Sequence, residues 1–487
     1  MLTRLTALAF ALLVAGGAGT AFIQAAAPAD SAIVHAINRL THGARPGDLE
    51  RVRALGLDKW IELQLAPSQI DNTALEARLQ RLETLTLGSE TIQREYAGPA
   101  MAERRKRQRE SPDAARPEPD SMRNDLDMPR RTDSDVVRKG RQVVSDLEEA
   151  KLIRAVYSER QLEEVLVDFW FNHFNVFAGK GVTRNYVGEY EREAIRPYVL
   201  GHFRDMLGAT AKSPAMLFYL DNWLSSAQAA QGARGAQTAR VRRSSGLNEN
   251  YARELLELHT LGADGYTQHD IVNVAKAFTG WTMQPRRGTG FVFVPARHER
   301  GEKIVLGQTI KAGGVDEGER VLDIVASHPA TARHIATKLA IRFVSDNPPA
   351  ALVDRAAARF TATNGNLREV LRLILRSQEF LSPDVHRVKV KTPLEFVASA
   401  LRATGAEVRT AVPLARTLRD MGMPLYFCQP PTGYDDTAAA WVSAGALVSR
   451  MNFAVDLSRN AVRGVRVPLT EEQTLAMKIG APEFQRQ

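Results

Sequence analysis

With 487 residues, 44% hydrophobic and 25% charged, the chain has a globular composition and ample material for a buried core. Its formal net charge is +8, yet no basic stripe with interleaved aromatics occurs. The surplus reads as an arginine-rich surface, and nucleic acid is not expected as a partner. Cys428 is the only cysteine, which excludes an intramolecular disulfide and a cysteine-rich metal site.

The first 29 residues, "MLTRLTALAFALLVAGGAGTAFIQAAAPA", run from Arg4 through an apolar stretch to an alanine-rich exit. That order is the pattern of a secretory signal, with cleavage expected near Ala29. The remaining 30–487 then form one large helical domain in the periplasm or outside the cell. No later stretch has the roughly 18 uninterrupted apolar residues of a membrane span.

Short helices follow, punctuated by Pro46 and Gly56, with Asp48 and Asp58 as helix-start residues. Residues 71–95 are helical. Residues 97–135 are charged, proline-bearing and poor in large apolar side chains, so a mobile insertion is expected, with Arg104-Arg105-Lys106-Arg107 reading as a solvated run in a mixed-charge loop in preference to a polyanion-binding patch. Helices resume over 136–222. In "DFWFNHFNV", residues 168–176, a helix ends with Leu162, Leu166, Phe169 and His173 on one face and Asn172 and Asn175 beside them. Residues 227–246 form a second mobile insertion, either a lid or a plain connection.

The stretch "GLNENYARELLELHTLG", residues 246–262, is an amphipathic helix with Asn248 as N-cap, followed by Asn250 in the first turn. At about 100° per residue, Glu249, Arg253 and Glu257 form an exposed charge ladder. His259 falls inside the apolar arc and Glu254 at its other margin. Those two are about 140° apart and cannot partner each other. A buried imidazole or carboxylate needs a partner, so other elements must reach them. Gly262 and Gly265 end this helix, and Thr267 with Asp270 caps the next.

Residues 291–310 carry two short β-prone runs around a polar turn, the single hairpin signal in the chain. Trp281 precedes it, and His298 lies within it. Helices are expected at roughly 315–327, 329–344, 349–362, 366–376, 393–404, 409–421 and 437–459, with "FCQPPTGYDD" breaking the pattern before the last. The fold class is mainly α, a large multi-helix domain with one small β hairpin near 291–310.

His173 and His259 both point inward, so a shared polar pocket is expected between helices 158–176 and 248–261. Its ligand-binding residues would be Asn172, His173, Asn248, Glu249, Asn250, Arg253 and His259. Two readings stand. In one, the protein is a binding or assembly component. In the other, it is a hydrolase-type enzyme in which His173 or His259 is general base and Glu249 or Glu254 orients it. Cys428 reads as packing, since nothing places a base near it. There is no HExxH, GxSxG or phosphate-binding glycine loop, and "ELH" at 257–259 is not the ExxH of di-iron bundles.

"THGARPGDLERVRALGLDKWIELQL", "DFWFNHFNV", "NENYARELLELHTLGADGYTQHDIVNVAKAFTGW", "RHERGEKIVLG" and "MGMPLYFCQPPTGYDDTAAAW" occur in this order. Together they resemble the bacterial family called domain of unknown function 1800, over nearly all of the mature chain. The family's turn is commonly "DGGYT" where this chain has Asp264-Gly265-Tyr266. The resemblance implies a mainly helical, often exported protein. It also implies, by gene neighbourhood alone, a partner from another exported family, domain of unknown function 1501. No cofactor and no metal are expected. Elemental analysis of purified protein should find no stoichiometric metal; one zinc or iron per chain would contradict this.

Overall fold

In the computed structural model, residues 28–110, 134–227, 246–284, 290–468 and 472–487 are described. The expected signal lies almost wholly outside them. The described chain is mainly helical, with three two-stranded antiparallel sheets among the described residues. The strand-prone region divides between two of these. Val292–Phe293 pairs back onto Trp281–Thr282, and Lys303–Val305 forms a tight hairpin with Gln308–Ile310. The third, Glu407–Val408 with Val465–Arg466, gives no alternation signal because each strand has only two residues.

Capping chemistry sets several helix starts. Thr267 and Asp270 form the expected capping box before Gln268–Ala277, and Thr392 with Glu395 forms another before Pro393–Ala403. Asn248 accepts from the Tyr251 N–H, as an N-cap should. The charged region 97–135 differs from expectation. Residues Gly98–Glu110 are helical, packed on the helix Asp135–Tyr157, while 111–133 lie outside the described residues. Tertiary contact overrides poor amphipathicity there. Of the other expected insertion, 228–245 lie outside the described residues.

At the centre, the helix Asp135–Tyr157 is buried on much of its circumference, charges included. Those charges tie it to its surroundings. Asp146 accepts from the N–H and hydroxyl of Thr84 at 3.2 and 2.9 Å. Glu149 accepts from Arg81 at 2.5 Å and from the Ala411 N–H at 2.9 Å. Beside it run Gln161–His173 and Pro393–Ala403, both heavily buried.

The Lys303 hairpin is bolted on by a buried knot. The Glu317 carboxylate lies 2.5 Å from the Lys303 ammonium and 3.1 Å from the His298 ring. It also accepts from the Gly313 and Gly314 N–H groups. Burial would raise the carboxyl's pKa, but Lys303, the Gly313 N–H and His298 together lower it. His298 is therefore part of this knot. Further on, residues 485–487 run back along 389–391, with the Gln487 N–H donating to Lys389 O at 2.9 Å.

Candidate functional site

The segment after Asn248 does not stay α-helical. Glu249–Glu254 is α, and Leu255–Leu261 is a π-helix. A uniform 100° wheel therefore holds for the first turns only. His259 is nonetheless buried, 4% exposed. The wider turn leaves its last carbonyls without a following turn, because Gly262 adopts φ 85° and ends the helix. Two imidazoles satisfy them. His173 Nε2 lies 3.2 Å from His259 O, and His334 Nε2 lies 3.3 Å from Leu258 O. A carbonyl can only accept, so each of these Nε2 atoms carries the proton.

The structure thus brings His173 and His259 together, with ring centroids 6.3 Å apart, and adds His334 at 6.1 Å from His173. Trp170 stands edge-on to His173, and Phe174 packs between the rings of His173 and His259. Burial, reinforced by Lys338 and the other two rings, holds His173 well below the usual imidazole range. Burial and His334 bring His259 down to about 3. Among the described residues, no carboxylate lies within ion-pair distance of the His173 or His259 ring.

The remaining expected residues lie elsewhere. Glu249 is exposed and accepts from Gln268 at 2.7 Å, and Arg253 donates to the same side chain at 3.3 Å. Glu254 is half-buried, its carboxyl pushed up by burial and by Glu257. Asn250 is exposed. Asn248, besides capping, donates to Leu220 O at 2.6 Å.

Asn172 and Asn175 face the segment 424–436, away from the 248–261 stretch. Asn172 clamps Tyr434 at both ends, donating to its carbonyl and accepting from its N–H, each at 2.7 Å. Asn175 donates to Cys428 O and Pro430 O. Gly433, with φ 73°, passes so close that a Cβ would sit 2.3 Å from Asn172 O. Only glycine fits there. Under this lashed segment is a cavity of about 30 Å³ lined by Lys151, Asp168, Asn172, Asn175, Cys428 and Tyr434, room for a water or two. Burial raises the Cys428 thiol to about 11, which disfavours the reactive thiolate.

Beside the cavity lies an ionic cluster with no counterpart among the expected sites. Glu191, on the π-helical turn Tyr190–Ile195, is 3% exposed. It faces Lys151 at 3.5 Å, Arg196 at 3.7 Å and Arg154 at 3.9 Å, and accepts from the Tyr426 hydroxyl at 2.7 Å. Lys151 also meets Asp168 at 3.0 Å, and Arg196 grips Glu164 with two hydrogen bonds. Burial alone would raise the Glu191 carboxyl; Lys151, Arg196, Arg154 and Tyr426 outweigh it and bring it to about 2. Tyr426 holds φ 64°, rare for a bulky residue and costing about 1–3 kcal/mol. The bond to Glu191, and the Ala178 N–H donating to its carbonyl at 2.9 Å, keep it there.

A family model described as "Protein of unknown function (DUF1800)" matches residues 35–485. The chain belongs to the DUF1800 family. No curated protein and no solved structure matches it at a significant level. The family brings no assigned chemistry, so the geometry of this DUF1800 chain must carry any reading. One surface feature stands out after the lashed segment. On the helix Ala444–Ser458, Leu447, Val448 and Met451 are 48, 56 and 50% exposed, and Val442 just before it is 65% exposed. Their spacing puts the three on one face, while Arg450, Phe453, Ala454 and Leu457 of the same helix are buried. Sequence periodicity missed this face because the helix is apolar on both sides.

The histidine geometry sets a pH dependence. Folded His259 takes up a proton only near pH 3, whereas an unfolded imidazole does so near its ordinary 6.5. Between these values the unfolded state binds the extra proton, so stability falls as pH drops from about 6.5 towards 3. A His259→Gln variant should lose this contribution, flattening the stability curve by up to about 1.4 kcal/mol per pH unit. Thermal melts of both proteins between about pH 6 and 4 measure it; equal slopes would contradict the assignment.

Proposed function

We propose that this DUF1800 protein is an exported binding component of a protein assembly. The observation that carries the proposal is the exposed apolar face formed by Val442, Leu447, Val448 and Met451. Contiguous exposed apolar side chains on a soluble protein mark contact surfaces, because leaving them in water forgoes the gain from burying them. The expected partner is another exported protein, with the neighbouring domain of unknown function 1501 family as the first candidate. The face lies just beyond the segment lashed to Asn172 and Asn175, so it is presented from a firmly held base.

The hydrolase reading draws less support. A general base works best with a pKa near the operating pH, and His259 lies several units below neutral. His173 Nε2 is already committed to a main-chain oxygen. Glu249 and Glu254, the proposed orienting acids, are not bonded to either ring.

The test is co-purification of the tagged, exported protein with the co-produced partner, read as stoichiometry and affinity. Each fully buried Leu or Met contributes roughly 1.5–3 kcal/mol, so Leu447→Asp with Met451→Asp should weaken association at least tenfold while the fold persists. Retention of the partner by this variant, or no association by the wild type, would overturn the proposal.

A further inference from the structure

The basic surplus is not spread evenly. The helix Gly98–Glu110 and the first two turns of Asp135–Tyr157, residues 135–142, hold eight arginines and lysines against three carboxylates. That is a local excess of five, although the connecting residues 111–133 carry six carboxylates against four arginines. The two helices are pressed together where Gly140 meets Ala100, so closely that a Cβ on Gly140 would sit 2.6 Å from the Ala100 Cβ.

On the first helix, Ala102, Arg105, Lys106 and Arg109 line a shallow surface groove of about 380 Å³. Their spacing is i, i+3, i+4, i+7, a single stripe along the helix. Each helix also carries an exposed apolar side chain, Met101 on the first and Val136 on the second. On the second helix, Lys139 lies 4.6 Å over the buried Tyr96 ring, and Arg138 is paired with Asp135.

We propose that this helix pair is a membrane-surface site that binds the phosphates of anionic phospholipids. Guanidinium groups match phosphate oxygens in planar, two-pronged geometry, and a lysine adds charge. Clustered cations gain from the potential of an anionic leaflet, and flanking apolar side chains gain from the headgroup boundary. Nucleic acid fits less well. None of the described residues lining the groove is aromatic, and Tyr96 is buried beneath Lys139. The site needs no membrane span, and no helix among the described residues is long and apolar enough to be one.

The experiment is co-sedimentation of the full chain with vesicles of phosphatidylglycerol and phosphatidylcholine, against vesicles of phosphatidylcholine alone, at low and high salt. The wild type should pellet with the anionic vesicles only, and salt should release it. Arg105→Ala with Lys106→Ala and Arg109→Ala should weaken binding roughly a hundredfold without changing the thermal melt. A single Arg109→Glu should weaken it in the same direction, which guards against misfolding of the triple variant. The proposal is overturned if the wild type ignores anionic vesicles, binds neutral ones equally, or is stripped from them by equimolar-charge duplex DNA. It is equally overturned if the variants bind as well as the wild type.

Discussion

A carboxylate buried among three cations and a phenol organises the middle of this protein. Glu191 sits within 4 Å of Lys151, Arg154 and Arg196, and takes the hydrogen of Tyr426. Those groups come from the central helix, from the turn after Glu191 itself and from a segment more than 230 residues downstream. Such a cluster is not a large net source of stability, since each ion gives up its water. Its effect is to make wrong arrangements expensive. Shifting any one element would strand a buried charge. Tyr426 illustrates this, because its unfavourable backbone angle persists only while the phenol meets Glu191 and the carbonyl meets Ala178.

A second polar arrangement follows the same logic with neutral groups. The π-helical turn at 255–261 leaves two carbonyls unpaired, and His173 and His334 cover them. Both polar centres thus sit at π-helical turns, where irregular backbone exposes groups that regular helix would satisfy internally. His173 and His334 act as main-chain donors. At the surface, the apolar face on Ala444–Ser458 and the basic stripe on Gly98–Glu110 are chemically distinct.

Much of this was legible in the sequence, and the failures have physical causes. Helix class and caps followed from spacing and from residues such as Asn248, Thr267 and Asp270, whose side chains bond locally. The inward direction of His173 and His259 followed from their apolar neighbours. Their partners did not, because main-chain oxygens carry no sequence signal and the π turn redirects side chains after Leu255. Asn172 and Asn175 looked like companions of His173, yet they serve a segment more than 250 residues away. His334 and Glu191 were missed because a histidine or glutamate on a helix looks the same whether solvated or paired at long range. The 98–110 helix was missed because it has almost no amphipathic pattern and is held by contact with its neighbour.

The middle of the fold depends most directly on the Glu191 cluster, and chemical denaturation of Glu191→Gln measures that dependence. Removing the central charge leaves Lys151 and Arg154 under-compensated in a dry interior, so the unfolding free energy should fall by about 3–5 kcal/mol. Adding Tyr426→Phe should then cost little more, since its partner is already gone. A loss under about 1 kcal/mol for Glu191→Gln, or strict additivity with Tyr426→Phe, would show that the cluster does not hold these elements in register.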